Sequence, residues 1–428
     1  MEGRIELPLA KRNVFIVGAI FGCIAVAFFA QLFNLQIIQG AALAEKGERN
    51  SLETGLIVAP RGIIYDRTGE LVAWNELDAT GEYDFPVRAY TDRRGFGQLI
   101  GYVSYPQKDK SGVYFRSEYL GHDGVEESFE KSLHGTNGKQ LFEENVHGAK
   151  ISDTAIEPAI PGGEVTLSLD AGLSEAMHDL IATTTIKNGF RSGAGAIIDV
   201  HTGEIIALTS YPSYDPEVLS DGDDRTLITS YHDDTRFPFL NKVIGGVYTP
   251  GSIVKPFIAY GALAEKIISP TKVIVSTGAL TIPNAYDPSN PAIFRDWSPT
   301  LGAMTIRDAI AYSSNVFLMT IGGGYGDQKG LGISNIDKYM HLFGLGSTTG
   351  IALRGEQSGL VPSPDWKKKV FKDDWRLGDT YLTSFGQYGF QITPIQMLRA
   401  YAVIANGGTL VTPQLIKDEQ GEQTNLNL

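Results

Sequence analysis

At 428 residues the chain exceeds one ordinary domain and suits two, with material for sizeable cores. Its 20% charged and 43% hydrophobic residues exclude a disordered chain, and a net charge of -13 argues against a general nucleic-acid binder. The single cysteine, Cys23, excludes an intrachain disulfide framework or a cysteine metal cluster. The histidines show no H-E-x-x-H spacing, so neither a metal nor an organic cofactor is expected.

Val14 to Ala30 is an unbroken run of apolar or small residues, extended by Leu32, Phe33, Leu35, Ile37 and Ile38. A helix over 14–38 would span roughly 37 Å at about 1.5 Å per residue, enough to cross a bilayer with tilt. Arg4, Lys11 and Arg12 precede it. They predict a cytoplasmic tail over 1–12, a membrane helix over 13–38 and the bulk of the chain outside the cytoplasm. Ala25-Val26-Ala27 has the small-x-small form of a signal cleavage site. It lies inside the apolar stretch, and the hydrophobicity continues past it, which favours an uncleaved anchor.

Residues 39–51 continue as a helical pattern. Arg61 to Ala73 carries strand signals around a Thr68-Gly69 turn, and 80–118 reads as short strands and loops. Gly124 to Leu133 reads as one short amphipathic helix ending at His134-Gly135. The Pro/Gly punctuation of 158–163, followed by a strand over 164–169, sets a domain boundary: 39–163, then 164–428. Beyond it come a helix over 171–186, a hairpin of 195–200 with 203–210, and helices over 252–265, 305–322, 333–343 and 393–405. Helices and strands in separate runs indicate an α+β fold. His232-Asp233-Asp234 and the basic run Lys367-Lys368-Lys369 read as solvated loops.

The chemistry centres on Ser252-Ile253-Val254-Lys255, introduced by Pro250-Gly251. Residues three apart on a helix share a side, so hydroxyl and amine can approach each other. Serine needs a base to become a nucleophile, and a lysine whose pKa is lowered by burial can be that base. S-x-x-K alone is a weak pattern. Ser313-Ser314-Asn315 adds a second element, although helix capping by Ser or Asn would explain that stretch in isolation. S-x-x-K followed by an S-x-N-type element belongs to the set found in penicillin-binding proteins and β-lactamases.

With these motifs the chain resembles the class B penicillin-binding proteins, membrane-anchored D,D-transpeptidases that cross-link peptidoglycan. Arg61-Gly62-Ile63-Ile64-Tyr65-Asp66-Arg67-Thr68-Gly69 resembles the family's R-G-x-I-x-D-R-x-G element in the pedestal. Gly124-Val125-Glu126 with Leu133 to Gly138 resembles a further pedestal segment. Thr202 to Pro212 resembles the strand pair that opens the transpeptidase domain. Gly386-Gln387, Thr393-Pro394-Ile395-Gln396 and Ala405-Asn406-Gly407-Gly408 match later landmarks, with Tyr388 where a glycine is usual. The resemblance implies a penicillin-binding-protein/serine β-lactamase-like domain on a β-rich pedestal of the dimerisation type. It also implies a K-T-G strand downstream of Gly408; no Lys-Thr-Gly occurs in this sequence. On that ground the chain is expected to lack the C-terminal part of the domain and to be a weak transpeptidase as it stands.

Carried over residue by residue, the resemblance makes Ser252 the acylated nucleophile, Lys255 the base and Ser313 a proton relay. Asn315 orients the lysine and the substrate amide, and Gly386 and Gln387 lie on the substrate side. The implied substrates are D-Ala-D-Ala stem peptides, with β-lactams as mimics. The implied partners are a membrane glycosyltransferase and other elongation or division proteins. Two other readings share parts of the pattern. A non-catalytic envelope scaffold would keep only anchor and pedestal, and a β-lactam sensor or β-lactamase would share S-x-x-K but not the R-G-x-I-x-D-R element.

Overall fold

The computed structural model describes residues 11–43, 52–81, 83–110, 112–144, 150–284, 287–299 and 301–428. The chain forms two compact units, 1–59 with 136–160, and 60–135 with 161–428. In the first, a helix runs over Lys11–Phe33 and continues as a π-helical segment, Asn34–Ile38. None of its residues is buried, as suits a stretch whose apolar surface meets lipid. The expected helical continuation lies outside the described residues beyond 43. The rest of this unit is a three-stranded antiparallel sheet of Leu52–Ile57, Gly138–Glu144 and Lys150–Glu157, with Gly138–Glu144 in the middle.

The second unit opens with a four-stranded sheet ordered Val165–Thr166, Ile64–Tyr65, Leu71–Glu76, Val87–Tyr90. Ile64–Tyr65 and Leu71–Glu76 pair antiparallel across the expected turn, where Gly69 takes φ 89°. Ile64, Val72, Ala73 and Tyr90 are buried from this sheet, against Leu99, Val125 and Leu133. The helix expected over 124–133 is two, Gly124–Ser128 and Glu130–Leu133, interrupted at Phe129. The strand expected over 164–169 is reduced to Val165–Thr166, with Leu167 bridging to Ile416.

Ala171–Lys187 is capped by the Asp170 carboxylate, which accepts from Leu173 N–H at 2.8 Å. It packs on the hairpin of Gly193–Ile198 and Ile205–Tyr211, and Pro394–Ala405 packs against Gly193–Ile198 as well. Val254, Phe257, Ile258, Phe317, Ile321, Met340, Phe343 and Val403 form a second core that joins Lys255–Ala264, Asn315–Gly323, Ile333–Leu342 and Pro394–Ala405. This is a mixed α+β architecture.

Further expectations need correction: His232 and Asp233, read as a loop, close the helix Arg225–Asp233. The apolar stretch 305–322 is not one helix but Ile306–Ala311 and Asn315–Gly323, broken at 312–314. The basic run is not a solvated loop: it lies on a helix, Pro364–Phe371, and Lys367 is buried with its amine 2.6 Å from the Asp379 carboxylate. A tertiary partner 12 residues on, invisible to local charge pattern, buries that lysine.

Candidate active site

Pro250 and Gly251 turn the chain into a single 3-10 turn, Gly251–Val254, and Lys255 is the first residue of the α-helix that follows. Ser252 therefore sits on the tighter turn and is exposed, whereas Lys255 is 2% exposed. Val254, Phe257 and Ile258 hold the helix in the core and drag the lysine stem inward with it.

The break at 312–314 supplies the facing wall. Ser313 takes φ 54°, a left-handed conformation costly for a residue with a side chain. That kink turns both its carbonyl and its hydroxyl onto Lys255. The Lys255 ammonium donates to Ser313 O at 2.7 Å, Ser313 Oγ at 3.0 Å and Asn315 Oδ1 at 2.8 Å. Three acceptors match the three N–H bonds of an ammonium. Burial nevertheless pushes the Lys255 pKa down to about 8, partly offset by the negative charge of Asp296. The amine thus becomes available as a base near neutrality while it is fixed in place.

The structure brings Lys255, Ser313 and Asn315 together, with Ser252 one turn ahead of the lysine; the Ser252 hydroxyl makes no hydrogen bond to it. Gly386 and Gln387 adjoin the same turn. The Gly251 N–H donates to Gly386 O at 3.0 Å, and a Cβ on Gly386 would lie 2.2 Å from Gly251 O. Gln387 is exposed beside it, its side-chain amide 3.7 Å from where a Gly251 Cβ would stand. Tyr388 holds φ 64° despite its side chain, and its ring stands edge-on to Trp366 and Trp375 at centroid distances of 5.9 and 5.7 Å. Packing between two indoles offsets the backbone strain at a position where the resemblance implied a glycine. An apolar cavity of about 430 Å³ lies beside the turn, lined by Pro250, Ile253, Ala196, Ile392, Met397 and Tyr401 among others. None of Lys255, Ser313 and Asn315 lines it.

The sequence reading missed Asp296, whose carboxylate accepts from the Ser314 hydroxyl and from the backbone N–H groups of Asn315 and Val316. No local signal marks it, because its partners lie 18–20 residues away. Among the described residues no cluster of His, Cys, Asp and Glu could hold a metal ion.

An exposed serine one turn from a buried amine of lowered pKa, with a second serine and an asparagine on that amine, is an arrangement suited to a serine acyltransferase. The penicillin binding protein transpeptidase domain matches residues 193–427, and the penicillin-binding protein dimerisation domain matches 83–167. The chain belongs to the penicillin-binding protein transpeptidases, the serine acyltransferases that cross-link peptidoglycan. It is 28% identical to the peptidoglycan D,D-transpeptidase MrdA of Salmonella typhimurium, across 98% of this chain and 77% of that protein. The structure of Pseudomonas aeruginosa PBP2 in complex with WCK 5153 superposes with a TM-score of 0.71 at 29% identity, covering 87% of this chain and 75% of that one. PBP2 of Helicobacter pylori, in its complex with MreC, shares the fold at a TM-score of 0.71 and 23% identity, covering 88% of this chain and 80% of that one.

Proposed function

We propose that Ser252 carries the acyl group in peptidoglycan cross-linking and that Lys255 is its base. Ser252 Oγ attacks the carbonyl between the two D-alanines of a stem peptide and passes its proton to the neutral Lys255 amine. Collapse of the tetrahedral adduct breaks the peptide bond, and the proton reaches the leaving D-alanine through the Ser313 hydroxyl. An amine of a neighbouring stem peptide then attacks the ester, loses a proton by the same route and frees Ser252. Asn315 holds the lysine and meets the substrate amide, and Gly386 and Gln387 border the peptide. β-Lactams acylate the same serine.

The observation that carries this reading is the Lys255 amine, buried, saturated by Ser313 and Asn315, and lowered to about pKa 8. A non-catalytic scaffold has no use for such a group. The test is a labelled penicillin on the full chain: the label is expected on the peptide containing Ser252 and lost in Ser252→Ala. Label that survives this substitution would refute the assignment.

The same proposal places the N-terminus in the cytoplasm and residues 39–428 outside it, supported by Lys11 and Arg12 at the start of the apolar helix. It assigns 39–163 to a pedestal and 164–428 to the transpeptidase domain, supported by a dimerisation-domain match over 83–167 and a transpeptidase-domain match over 193–427. Its partners are a membrane glycosyltransferase and elongation or division proteins of the kind represented by MreC with the Helicobacter pylori relative.

A further inference from the structure

We infer that Asp296 is a positioning residue for acyl transfer: its carboxylate clamps the Ser313–Asn315 turn and so fixes the groups that hold the Lys255 amine. The inference rests on reading Lys255 as the base. Asp296 follows a two-stranded ribbon, Ala279–Ile282 with Ala292–Arg295, and its own N–H donates to Gly278 O at 2.8 Å. Delivered there, Oδ2 accepts from Ser314 Oγ at 2.7 Å and Val316 N–H at 3.0 Å, and Oδ1 accepts from Asn315 N–H at 2.9 Å. Ser276 Oγ adds a longer contact at 3.3 Å. The next residue grips the other side of the kink, where Trp297 Nε1–H donates to Tyr312 O at 3.0 Å. Adjacent residues of one segment therefore hold 312 and 314–316, with the strained Ser313 between them.

A left-handed serine persists only where its surroundings over-determine it. Ser314 also caps the helix Asn315–Gly323, accepting from Phe317 N–H at 3.2 Å, so its hydroxyl joins the cap to the carboxylate. Burial alone would raise the Asp296 pKa, but the donors from Ser314, Asn315, Val316 and Trp297 hold it below the usual carboxylate range. The group is ionised at neutral pH. Its charge also acts on Lys255, whose proton it favours. Gly251–Val254 and Ser313–Asn315 carry no titratable side chain; the helices packed on Lys255–Ala264 carry Arg307 and Asp308 in Ile306–Ala311 and Asp337, Lys338 and His341 in Ile333–Leu342, and the charge that acts on Lys255 is that of Asp296.

A helix cap and a positioning residue for a base differ in what they do to the lysine. Asp296→Asn keeps the size but removes the charge and one acceptor. Its penicillin acylation is expected to fall by about 10- to 100-fold at the plateau, as for a misplaced reacting group. The midpoint of its acid limb moves to lower pH, because the lysine loses its nearby anion. Asp296→Glu keeps the charge, and should lose rate with the midpoint retained. Competitive acetylation of the Lys255 amine across pH, followed by peptide mapping, reads the same midpoint without acyl transfer. A lower midpoint in Asp296→Asn by both readouts supports the inference. An unchanged Lys255 midpoint in the acetylation experiment, whether or not the variant melts earlier, overturns it. Failure of the underlying reading looks different: wild-type Ser252 would then take label equally fast in Lys255→Ala.

Discussion

Arg61 and Glu126 stand 65 residues apart in the chain and meet as a buried ion pair, both essentially without solvent contact. The Glu126 carboxylate takes Arg88 Nε–H on its other oxygen at 2.8 Å, and the Glu126 carbonyl accepts from Arg61 at 2.8 Å. Glu130 closes the Arg61 guanidinium at 2.7 Å. Glu126→Ala leaves two buried guanidiniums facing each other without their shared anion. Loss of one partner of a buried pair costs about 3–5 kcal/mol, so a lower unfolding midpoint is expected in a denaturant titration. A midpoint within experimental error of wild type would show that the network contributes nothing.

Lys367 and Lys368 are neighbours with opposite fates. The first is buried on Asp379 at 2.6 Å; the second reaches exposed Asp374 at the same distance. An exposed pair is worth little, whereas a carboxylate stripped of its buried partner destabilises the fold. Lys367→Met is therefore expected to lower the melting temperature and Lys368→Met to leave it unchanged. Equal effects from the two substitutions would contradict the burial of Lys367.

What was legible in the sequence is what spacing decides. S-x-x-K puts Ser252 and Lys255 on one side of a turn whatever surrounds them, and the apolar run after it places the lysine stem against a core. The Ser313-Ser314-Asn315 run offered a local cap signal, and Ser314 does cap Asn315–Gly323; the left-handed turn at Ser313 was not legible, because what holds it is not local. The break depends on Asp296 and Trp297, brought in by a ribbon earlier in the chain. Lys367 was misread for the same reason: its charge pattern is local and its partner is not. Arg61 and Glu126 were found as family landmarks, and only the packed structure gives them a physical role as two ends of one ion pair.

Gly386 and Gly251 touch backbone to backbone, which makes the serine turn sensitive to a single methyl group. Gly386 holds φ 76°, and its added Cβ would stand 2.2 Å from the Gly251 carbonyl oxygen. Gly386→Ala must bear roughly 1–2 kcal/mol for the left-handed backbone alone, and must also push the Pro250-Gly251 turn away. Slower labelling of Ser252 by penicillin is expected, together with a lower melting temperature. Wild-type labelling in this variant would mean that the contact does not position Ser252.

The apolar helix Lys11–Phe33, with Lys11 and Arg12 at its start and Arg4 before it, predicts a single crossing with the N-terminus inside. Reporters fused after Leu71 and after Leu345 are expected to be active only when they work outside the cytoplasm. Activity of a cytoplasmic reporter at either site would reverse the orientation. A mature N-terminus mapping near Phe28 would show cleavage in place of anchoring.

With Lys255 as the proposed base, its amine is expected to set the pH dependence of acylation. A base must be neutral to take the Ser252 proton, and the neutral form predominates above the pKa. With that pKa at about 8, about a tenth of the amine is neutral at pH 7, against about 0.03% for an ordinary lysine near 10.5. The penicillin acylation rate should therefore climb about tenfold per pH unit below 8 and flatten above it. Stability carries the matching sign. The unfolded chain keeps this proton up to about 10.5 and the folded chain releases it near 8, so this group makes stability rise with pH across that window. Stopped-flow labelling between pH 6 and 9.5 reads the limb directly. Lys255→Ala should remove both the limb and nearly all the rate, and Asn315→Ala should lower the plateau by freeing the amine from one of its three acceptors. A wild-type rate that stays flat through pH 8 would exclude Lys255 as the base, whatever its geometry.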